Sequence, residues 1–197
     1  MLYQQLDNSE INQSPKKEFK RLIYALAFFH SALQERKKYG RIGWNRSYGF
    51  NHHDFTISLN LVDHYLTKAH DLSTVSWDGL EYLIGEVIYG GQVTDQNDGK
   101  LVRVYLDKYF GNHIFNKDFC LAADFKIPQD ESSLAEIHSF IDKMPLLTVP
   151  EVIGLHNNAE ITYNINNAKA LRHSLLSMQS SSDLSEDFDR DAMVLKI

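Results

Sequence analysis

Apolar residues recur at intervals of three and four in one segment of this chain after another, and this spacing constrains its fold more than any other feature. The first segment follows Ser14-Pro15, where serine can cap a helix and proline can occupy its first turn. Gly40 is the residue that would end it. We therefore predict a long helix with one stripe on a core, and the stripe consists of Phe19, Leu22, Ile23, Leu26, Phe29 and Leu33.

Three more helices are predicted before residue 112. Asn51, with Asp54 three residues later, can cap the second helix. Ser76 can cap the third, and Thr94-Asp95 opens the fourth. The inward-facing positions of these helices are Phe55, Leu59, Val62 and Leu66; Leu80, Leu83, Ile84, Val87 and Ile88; and Leu101, Tyr105, Leu106 and Tyr109.

The segment 40–52 between the first two helices combines three glycines with three aromatic side chains in the run GRIGWNRSYGFNH. Glycine lets the backbone turn, whereas Trp44, Tyr48 and Phe50 carry large apolar surfaces that favour burial. We therefore expect this loop to fold down onto the helices as an aromatic plug.

The second half of the chain has a different pattern. Residues 112–130 group their apolar positions in short runs, which predicts a loop with one or two short strands. Ser133-Leu-Ala-Glu136 matches the capping box of a short helix that ends at Pro145. A last helix carries Ala168, Leu171, Leu175 and Met178 on one side.

The predicted fold class is therefore all-α, a small helical bundle followed by a mixed loop and strand segment and two further helices. Four parts are predicted along the chain: a disordered leader at 1–14, the bundle at 15–111, the mixed segment at 112–180 and an acidic flexible tail at 181–197.

The charge balance disfavours nucleic acid as a partner. Lys+Arg 20 against Asp+Glu 26 gives a net charge of −6, so the chain lacks an overall positive field. No stretch approaches the roughly 18 apolar residues of a membrane-spanning helix, which predicts no membrane partner. The N-terminus lacks the apolar middle of a secretory signal, and a single cysteine excludes an internal disulfide. The reducing cytosol is the expected compartment.

The first helix departs from this acidic balance. A solvated helix face and a contact with a protein partner would both account for its positive charge, and the helix dipole favours the cations at its end. Its basic residues are Lys16, Lys17, Lys20, Arg21, Arg36, Lys37, Lys38 and Arg41, against Glu18 and Glu35.

No motif indicates a nucleotide or metal site. The nine histidines include no HExxH spacing. Gly90-Gly91 and Gly99-Lys100 lack both the four-residue gap and the Ser or Thr after lysine that a phosphate loop requires. We therefore predict no cofactor-binding and no metal-binding residue.

No catalytic residue is predicted either. Cys120 lies between Phe119 and Leu121, a setting typical of a buried thiol rather than a nucleophile. Asp95 and Asp98 are close in sequence, but at a helix start both are explained by capping and by the helix dipole.

Four blocks of sequence nevertheless follow one another in the order of a known family. The first is LAFFHSALQERKKYGRIGWNRSYGFN, and the others are Val75-Ser76-Trp77 with Tyr82-Leu-Ile-Gly-Glu86, Tyr89-Gly-Gly-Gln-Val-Thr-Asp95 and Pro150-Glu-Val-Ile-Gly-Leu-His-Asn-Asn-Ala-Glu-Ile-Thr162. Together they resemble the end of axonemal dynein heavy chains, nearest to the outer-arm type. The similarity covers roughly residues 16–180.

This resemblance implies a mechanical part of a motor. Residues 15–111 would form the small lid of the last AAA+ module, and the C-terminal region of the heavy chain would begin at about residue 112. A lid rotates as a rigid body against its neighbours. ATP and magnesium would be bound by upstream modules that this chain lacks. The expected partners are the rest of the heavy-chain ring and other dynein subunits, with microtubules contacted only indirectly, in the cytoskeleton of a cilium or flagellum.

The residues expected to stiffen such a lid are Trp44 and Tyr48 in the plug and Tyr89, Gly90 and Gly91, where glycine would permit close backbone approach. Ordinary core packing would explain the same residues.

One position departs from the family pattern. Gln92 stands where these chains usually have arginine, so we expect no guanidinium ion pair at that point.

Two other classes of function stay open. A free-standing helical adaptor would bind a protein partner through the basic first helix. An unrecognised enzyme would have a deep pocket near Asp95 or His113, lined by carboxylates or histidines with shifted pKa values.

Overall fold

A computed structural model of the chain describes residues 11, 13–116, 118–122, 125–127, 136, 139, 142–143 and 149–183. Residue contacts divide the chain into two compact units, Met1–His156 and Asn157–Ile197. The described part of each unit is mainly helical, which confirms the predicted all-α class.

Helix α1 (Lys17–Lys37) is the central element of the first unit. Residues 22–30 are all buried, so the helix is covered on every side and not only along the predicted stripe. The unbroken apolar and aromatic run from Leu22 to Phe29 explains this, since other elements can pack all round it. Its neighbours include helix α2 (His52–Lys68), a helix at Gln96–Tyr109, and the 3₁₀ turns Asn112–Phe115 and Pro150–Ile153.

The third predicted helix is three kinds of helix in succession. Helix α3 (Trp77–Tyr82) continues into a π-helical segment, Leu83–Tyr89, and then into a 3₁₀ turn, Gly90–Gln92. The wider π turn shifts the buried positions to Leu80, Ile84, Gly85 and Tyr89. The prediction that Val87 faces inward is therefore wrong, because its side chain is 53% exposed.

The helix starts are predicted correctly in two cases out of four. Asn51 and Asp54 form a complete capping box on α2. Asp95 caps helix α4 (Gln96–Tyr109) through the amides of Asn97 and Asp98.

The two serines do not cap. Helix α1 begins at Lys17 with Lys16 at its N-cap position, so Ser14 lies two residues before the position from which a side chain caps a helix. Ser76 has a ψ of 81°, outside the extended conformation of most N-caps, and its side chain makes no cap hydrogen bond.

A pair of short antiparallel strands confirms the strands predicted between 112 and 130. Strand β1 (Cys120–Ala122) pairs antiparallel with strand β2 (Phe125–Lys126). Leu121 is buried and Cys120 is exposed, so the predicted buried thiol is wrong. Successive side chains of a strand point to opposite faces, and Leu121 takes the inward one.

The second unit contains helix α5 (Asn158–Asp183), the predicted last helix. The predicted short helix at 133–145 lies outside the described residues, except at Glu136, Ser139 and Asp142, which are helical, and at Lys143, which is in a turn. Among the described helices, none is both long and apolar enough to cross a membrane.

The predicted domain boundaries stay predictions. Most of the predicted leader and tail lies outside the described residues, although Ile11 is buried and α5 extends to Asp183. Contacts continue across the boundary predicted near residue 111 as far as His156.

Candidate functional site

The aromatic plug predicted for the loop after α1 is present as a cluster of buried rings. Trp44, Tyr48 and Phe50 are 3%, 4% and 4% exposed. The Trp44 ring lies edge-on to Tyr48 at 5.6 Å and 5.5 Å from Phe50. The Trp44 indole N–H donates to the Leu33 carbonyl at 3.1 Å, which fixes the plug to the last turns of α1.

A buried carboxylate fastens the other side of this plug to α4. Asp98 accepts hydrogen bonds from the amides of Asn45 and Arg46, both at 3.2 Å, and from the Tyr48 hydroxyl at 2.7 Å. Burial, together with this hydrogen bond to Asp98, raises the pKa of Tyr48. The phenol therefore stays protonated and acts as a hydrogen-bond donor. Sequence reasoning placed Asp98 at a helix start but missed this role.

Asp95 has a related structural role. The Asn45 side-chain amide donates to it at 3.1 Å, in addition to the two amides that it caps. The hydrogen bond from Asn45, followed by the one from the Asp98 amide, lowers the pKa of Asp95. A lowered pKa keeps this carboxylate ionised, which favours capping and disfavours service as a general acid.

Tyr89, the third predicted aromatic, is fully buried against α1. Its hydroxyl lies 2.8 Å from His30 Nδ1, and its ring lies edge-on to Phe29 at 5.0 Å. Burial lowers the pKa of His30 to about 4 and raises that of Tyr89. The pair is therefore neutral near pH 7. The rings of Tyr89 and Phe50 lie 5.8 Å apart, so Tyr89 also contacts the plug.

The two glycines after Tyr89 differ. A Cβ on Gly90 would lie 2.5 Å from the carbonyl oxygen of Gly85, so the close approach expected there occurs. A Cβ on Gly91 would have nothing within 4 Å, and nothing at that position requires a glycine. The expectation of close backbone approach therefore applies to Gly90 and not to Gly91.

Among the described residues, the side chain of Gln92, which stands where the resemblance implies an arginine, makes one polar contact. Its side-chain amide donates to Asp54 Oδ1 at 2.9 Å. The other oxygen of Asp54 accepts the amide of Asn51 at 2.9 Å in the capping box. The departure therefore leaves one neutral hydrogen bond to the carboxylate, where a guanidinium could make two charged ones.

A residue that sequence reasoning did not select joins several elements. Arg36 is 5% exposed, and its guanidinium lies over the rings of Trp44 at 5.8 Å and Tyr105 at 5.4 Å. It donates to the carbonyls of Gly43, Ile153 and Gly154 and to the Tyr105 hydroxyl, at 2.6 to 3.3 Å. One signal was available in the sequence, since Arg36 continues the three-and-four spacing of Phe29 and Leu33.

The structure also bears on the two other classes of function. Lys16 donates to the carbonyls of Leu66 and Ala69 at the end of α2, so part of the basic set on α1 is used inside the fold. His113 lies 3.1 Å from the Lys108 carbonyl and edge-on to Phe119.

Neither of two cavities on the described surface is lined by Asp95 or His113. One, of about 270 Å³, lies beside the plug, and the other, of about 470 Å³, lies beside the end of α2. Among the described residues, no three His, Cys, Asp or Glu side chains are grouped so as to hold a metal ion.

The chain is similar to known proteins over nearly all of its length. A family model described as "Dynein heavy chain AAA lid domain" matches residues 19–159. The chain is 39% identical to human "Dynein axonemal heavy chain 10" over 94% of this chain and 4% of that protein. It is 38% identical to "Dynein-1-alpha heavy chain, flagellar inner arm I1 complex" of Chlamydomonas reinhardtii over 90% of this chain and 4% of that one.

A further human relative, "Dynein axonemal heavy chain 17", is 41% identical over 82% of this chain and 4% of its own length. The chain thus spans only about 4% of the curated relatives that it matches. These similarities do not favour the free-standing adaptor. The outer-arm likeness stays a prediction, since the relatives include an inner-arm chain.

Proposed function

This chain belongs to the dynein heavy chain family, whose AAA lid domain it contains, and from that premise we propose that it is a non-catalytic mechanical segment of an axonemal dynein motor. Its partners would be the rest of the heavy chain and other dynein subunits, in the cytoskeleton of a cilium or flagellum. ATP and magnesium would be bound by other modules of the heavy chain, and microtubules would be contacted only through them.

The observation that carries this proposal is the attachment of the Pro150–Ile153 turn to two helices. Arg36 of α1 and Tyr105 of α4 both donate to the Ile153 carbonyl, at 2.8 and 2.6 Å. Tyr109 donates to the Val152 carbonyl at 3.2 Å. A rigid body transmits displacement when the chain segments before and after it are fixed to it. These hydrogen bonds fix the Pro150–Ile153 turn, which follows the four helices along the chain.

The buried polar groups of the bundle support a role without chemistry. Asp98 and Asp54 use their carboxylates to hold amides and neighbouring side chains, and Arg36 holds carbonyls. Burial keeps His30 and Tyr89 neutral against each other. Each of these groups is occupied in holding elements together and not aimed into either described cavity.

Exposed apolar residues on α5 support a place within a larger protein. Such a set is unusual on a protein that acts alone and is typical of a surface that another part of an assembly covers. The residues are Ile161, Ile165, Leu171, Leu175, Leu176 and Met178, which are 48% to 68% exposed.

The proposal can be tested in a complete heavy chain that carries Arg36→Met. We expect basal ATP turnover within about twofold of wild type, because the substitution lies outside the nucleotide-binding modules, and microtubule gliding slowed by about tenfold or more, because the turn is released. Lys38→Gln is the matched control, since Lys38 forms an exposed ion pair with Glu35 and should change neither rate. Unchanged gliding in Arg36→Met would contradict the mechanical role.

A second experiment tests the absence of chemistry in this chain. Calorimetric titration of the 197-residue chain with Mg-ATP should show no binding at nucleotide concentrations of about 100 μM. Micromolar affinity or measurable ATP turnover would overturn the non-catalytic assignment.

A further inference from the structure

The cavity beside the plug is lined by three cationic side chains. Lys37 lies in the last turn of α1, and Arg41 and Arg46 come from the loop that follows it. Gly40, Trp44, Asn45 and Ser47 complete the lining of this space of about 270 Å³. We call it the basic cavity.

Two of these three cations lack a matching carboxylate among the described residues. The side chains of Lys37 and Arg41 have no hydrogen-bond or ion-pair partner there. Arg46 makes a long contact of 3.5 Å with the Thr94 hydroxyl and interacts with the Asp95 charge. The dipole of α1 favours Lys37 at its end, but it does not account for two guanidinium groups brought to the same space from beyond the helix.

The nearby carboxylates are already engaged. Glu35 pairs with Lys38 on the surface of α1. Asp98 is occupied by two amides and the Tyr48 hydroxyl, and Asp95 caps α4 and accepts the Asn45 side chain. The positive charge of Lys37 and Arg41 is therefore not balanced by these carboxylates, and an anion would relieve the repulsion between the cations.

The wall of the basic cavity is preformed. A Cβ on Gly43 would clash with the Arg36 carbonyl, so only glycine lets the loop lie against the end of α1. The Trp44 indole is fixed by its bond to Leu33, and the amides of Asn45 and Arg46 are fixed by Asp98. A preformed wall lowers the entropy cost of binding.

The donor set favours phosphate over carboxylate. Two guanidinium groups, an ammonium and the Ser47 hydroxyl offer more donors than the two oxygens of a carboxylate can accept. A phosphate group carries about −1.5 to −2 charge near pH 7 and three or more acceptor oxygens, and guanidinium binds it bidentately. A volume of about 270 Å³ is large enough to admit a phosphate group with water around it, and it lies below the usual range of pockets for drug-sized ligands.

We propose that the basic cavity formed by Lys37, Arg41 and Arg46 is a binding site for a phosphate group, either free or carried as a phosphomonoester. The site stands on its own geometry and is independent of the mechanical role proposed above.

The test is a titration of the full 197-residue chain followed by two-dimensional ¹H–¹⁵N NMR, at an ionic strength held constant with chloride. Inorganic phosphate should shift the amides of residues 41–47 saturably, with a Kd on the order of 1 mM. Arg41→Gln combined with Arg46→Gln should weaken binding by about tenfold or more. Lys68→Gln, beside the other cavity, is the matched control and should bind phosphate as wild type does.

Titrations with other anions identify the source of the phosphate group. Tighter binding of phosphoserine than of inorganic phosphate would assign the site to a phosphorylated protein segment, and the reverse order would assign it to the free ion. Glutamate at equal concentration should bind at least about tenfold more weakly. Shifts that do not saturate, shifts that chloride alone reproduces, unchanged affinity in the double variant, or equal affinity for glutamate would each overturn the proposal. Cross-peaks of the buried α1 amides report whether each variant is folded.

Discussion

Arg36 Nη1 donates a hydrogen bond to the main-chain carbonyl of Ile153, 117 residues further along the chain, over 2.8 Å. The bond joins the end of the central helix to the turn that closes the first unit. Because the guanidinium is planar and has several donors, the same side chain also reaches Gly43, Gly154 and Tyr105. One buried cation thus joins three parts of the chain: the loop at Gly43, helix α4 at Tyr105 and the turn at Ile153 and Gly154.

Arg36→Met is expected to lower the free energy of unfolding by about 3 kcal/mol, because several buried acceptors would lose their donor. Urea unfolding measures the change. Amides of residues 152–155 should also exchange with solvent faster, relative to those of α2. Arg36→Lys keeps the charge but lacks the planar fork, so it should restore less than half of the loss. Wild-type stability in Arg36→Met would contradict the role assigned to the guanidinium.

Gly154→Ala should lower the free energy of unfolding by more than the strain of a left-handed backbone alone would. Gly154 has a φ of +67°, and a Cβ there would lie 2.5 Å from the Tyr105 hydroxyl. We expect a loss of about 3 kcal/mol, from backbone strain and steric overlap together. Gly40→Ala is the control, since Gly40 has a φ of +57° with nothing within 4 Å of a Cβ and should lose only about 1 kcal/mol.

Removing the overlapping hydroxyl separates these two costs. In a Tyr105→Phe background, the penalty of Gly154→Ala should fall toward that of Gly40→Ala, as measured by urea unfolding of the single and double variants. Equal penalties in the two backgrounds would show that the hydroxyl is not the obstacle.

Local patterns were sufficient to predict most of this architecture. Three-and-four spacing located the helices, and the capping box at Asn51 and Asp54 located a helix start, because both depend on residues close in sequence. The plug was predictable because Trp44 and Tyr48 favour burial wherever the loop lies.

What sequence reasoning missed depends on residues far apart in the chain. Val87 is exposed because the π-helical segment shifts the helix phase, and no residue type announces that shift. The partners of Arg36 are mostly main-chain carbonyls, which every residue carries, so no sequence motif can identify them. The role of Asp98 likewise depends on amides about fifty positions earlier, at 45 and 46.

Gln92→Arg should stabilise the fold by about 0.5 to 1.5 kcal/mol, because a guanidinium can form a charged pair with Asp54, where Gln92 now makes one neutral bond. Thermal or urea unfolding measures the gain. The control is the same substitution in an Asp54→Asn background, where the gain should disappear. A gain of equal size in that background would show that Asp54 is not the partner.

The buried His30 should make stability fall in mild acid. Burial lowers the pKa of His30 from 6.5 to about 4, so the unfolded chain takes up a proton at a higher pH than the folded chain. The stability that depends on neutral His30 is fully present above pH 6.5 and is lost as the pH falls from there toward about 4. We expect a loss of about 2 kcal/mol between pH values of about 7.5 and 5 from this group.

The His30 effect is measured by urea unfolding across that pH range, in wild type and in His30→Gln. The variant keeps a polar side chain that does not titrate, so its stability should depend less steeply on pH by about the same 2 kcal/mol. Parallel pH profiles for the two proteins would show that His30 is not the group responsible.

Alanine at Gly90 should lower the free energy of unfolding, whereas alanine at the adjacent Gly91 should not. At Gly90 the new Cβ would overlap the Gly85 carbonyl oxygen, and this main-chain atom cannot move aside as a flexible side chain can. Gly90→Ala should therefore lose about 2 kcal/mol of unfolding free energy, whereas Gly91→Ala should be neutral or gain up to about 1 kcal/mol by restricting the unfolded chain. Urea unfolding of both variants gives the comparison. The π-helical segment Leu83–Tyr89 brings the Gly85 carbonyl close to Gly90. Equal stability of the two variants would therefore contradict the presence of this segment in solution.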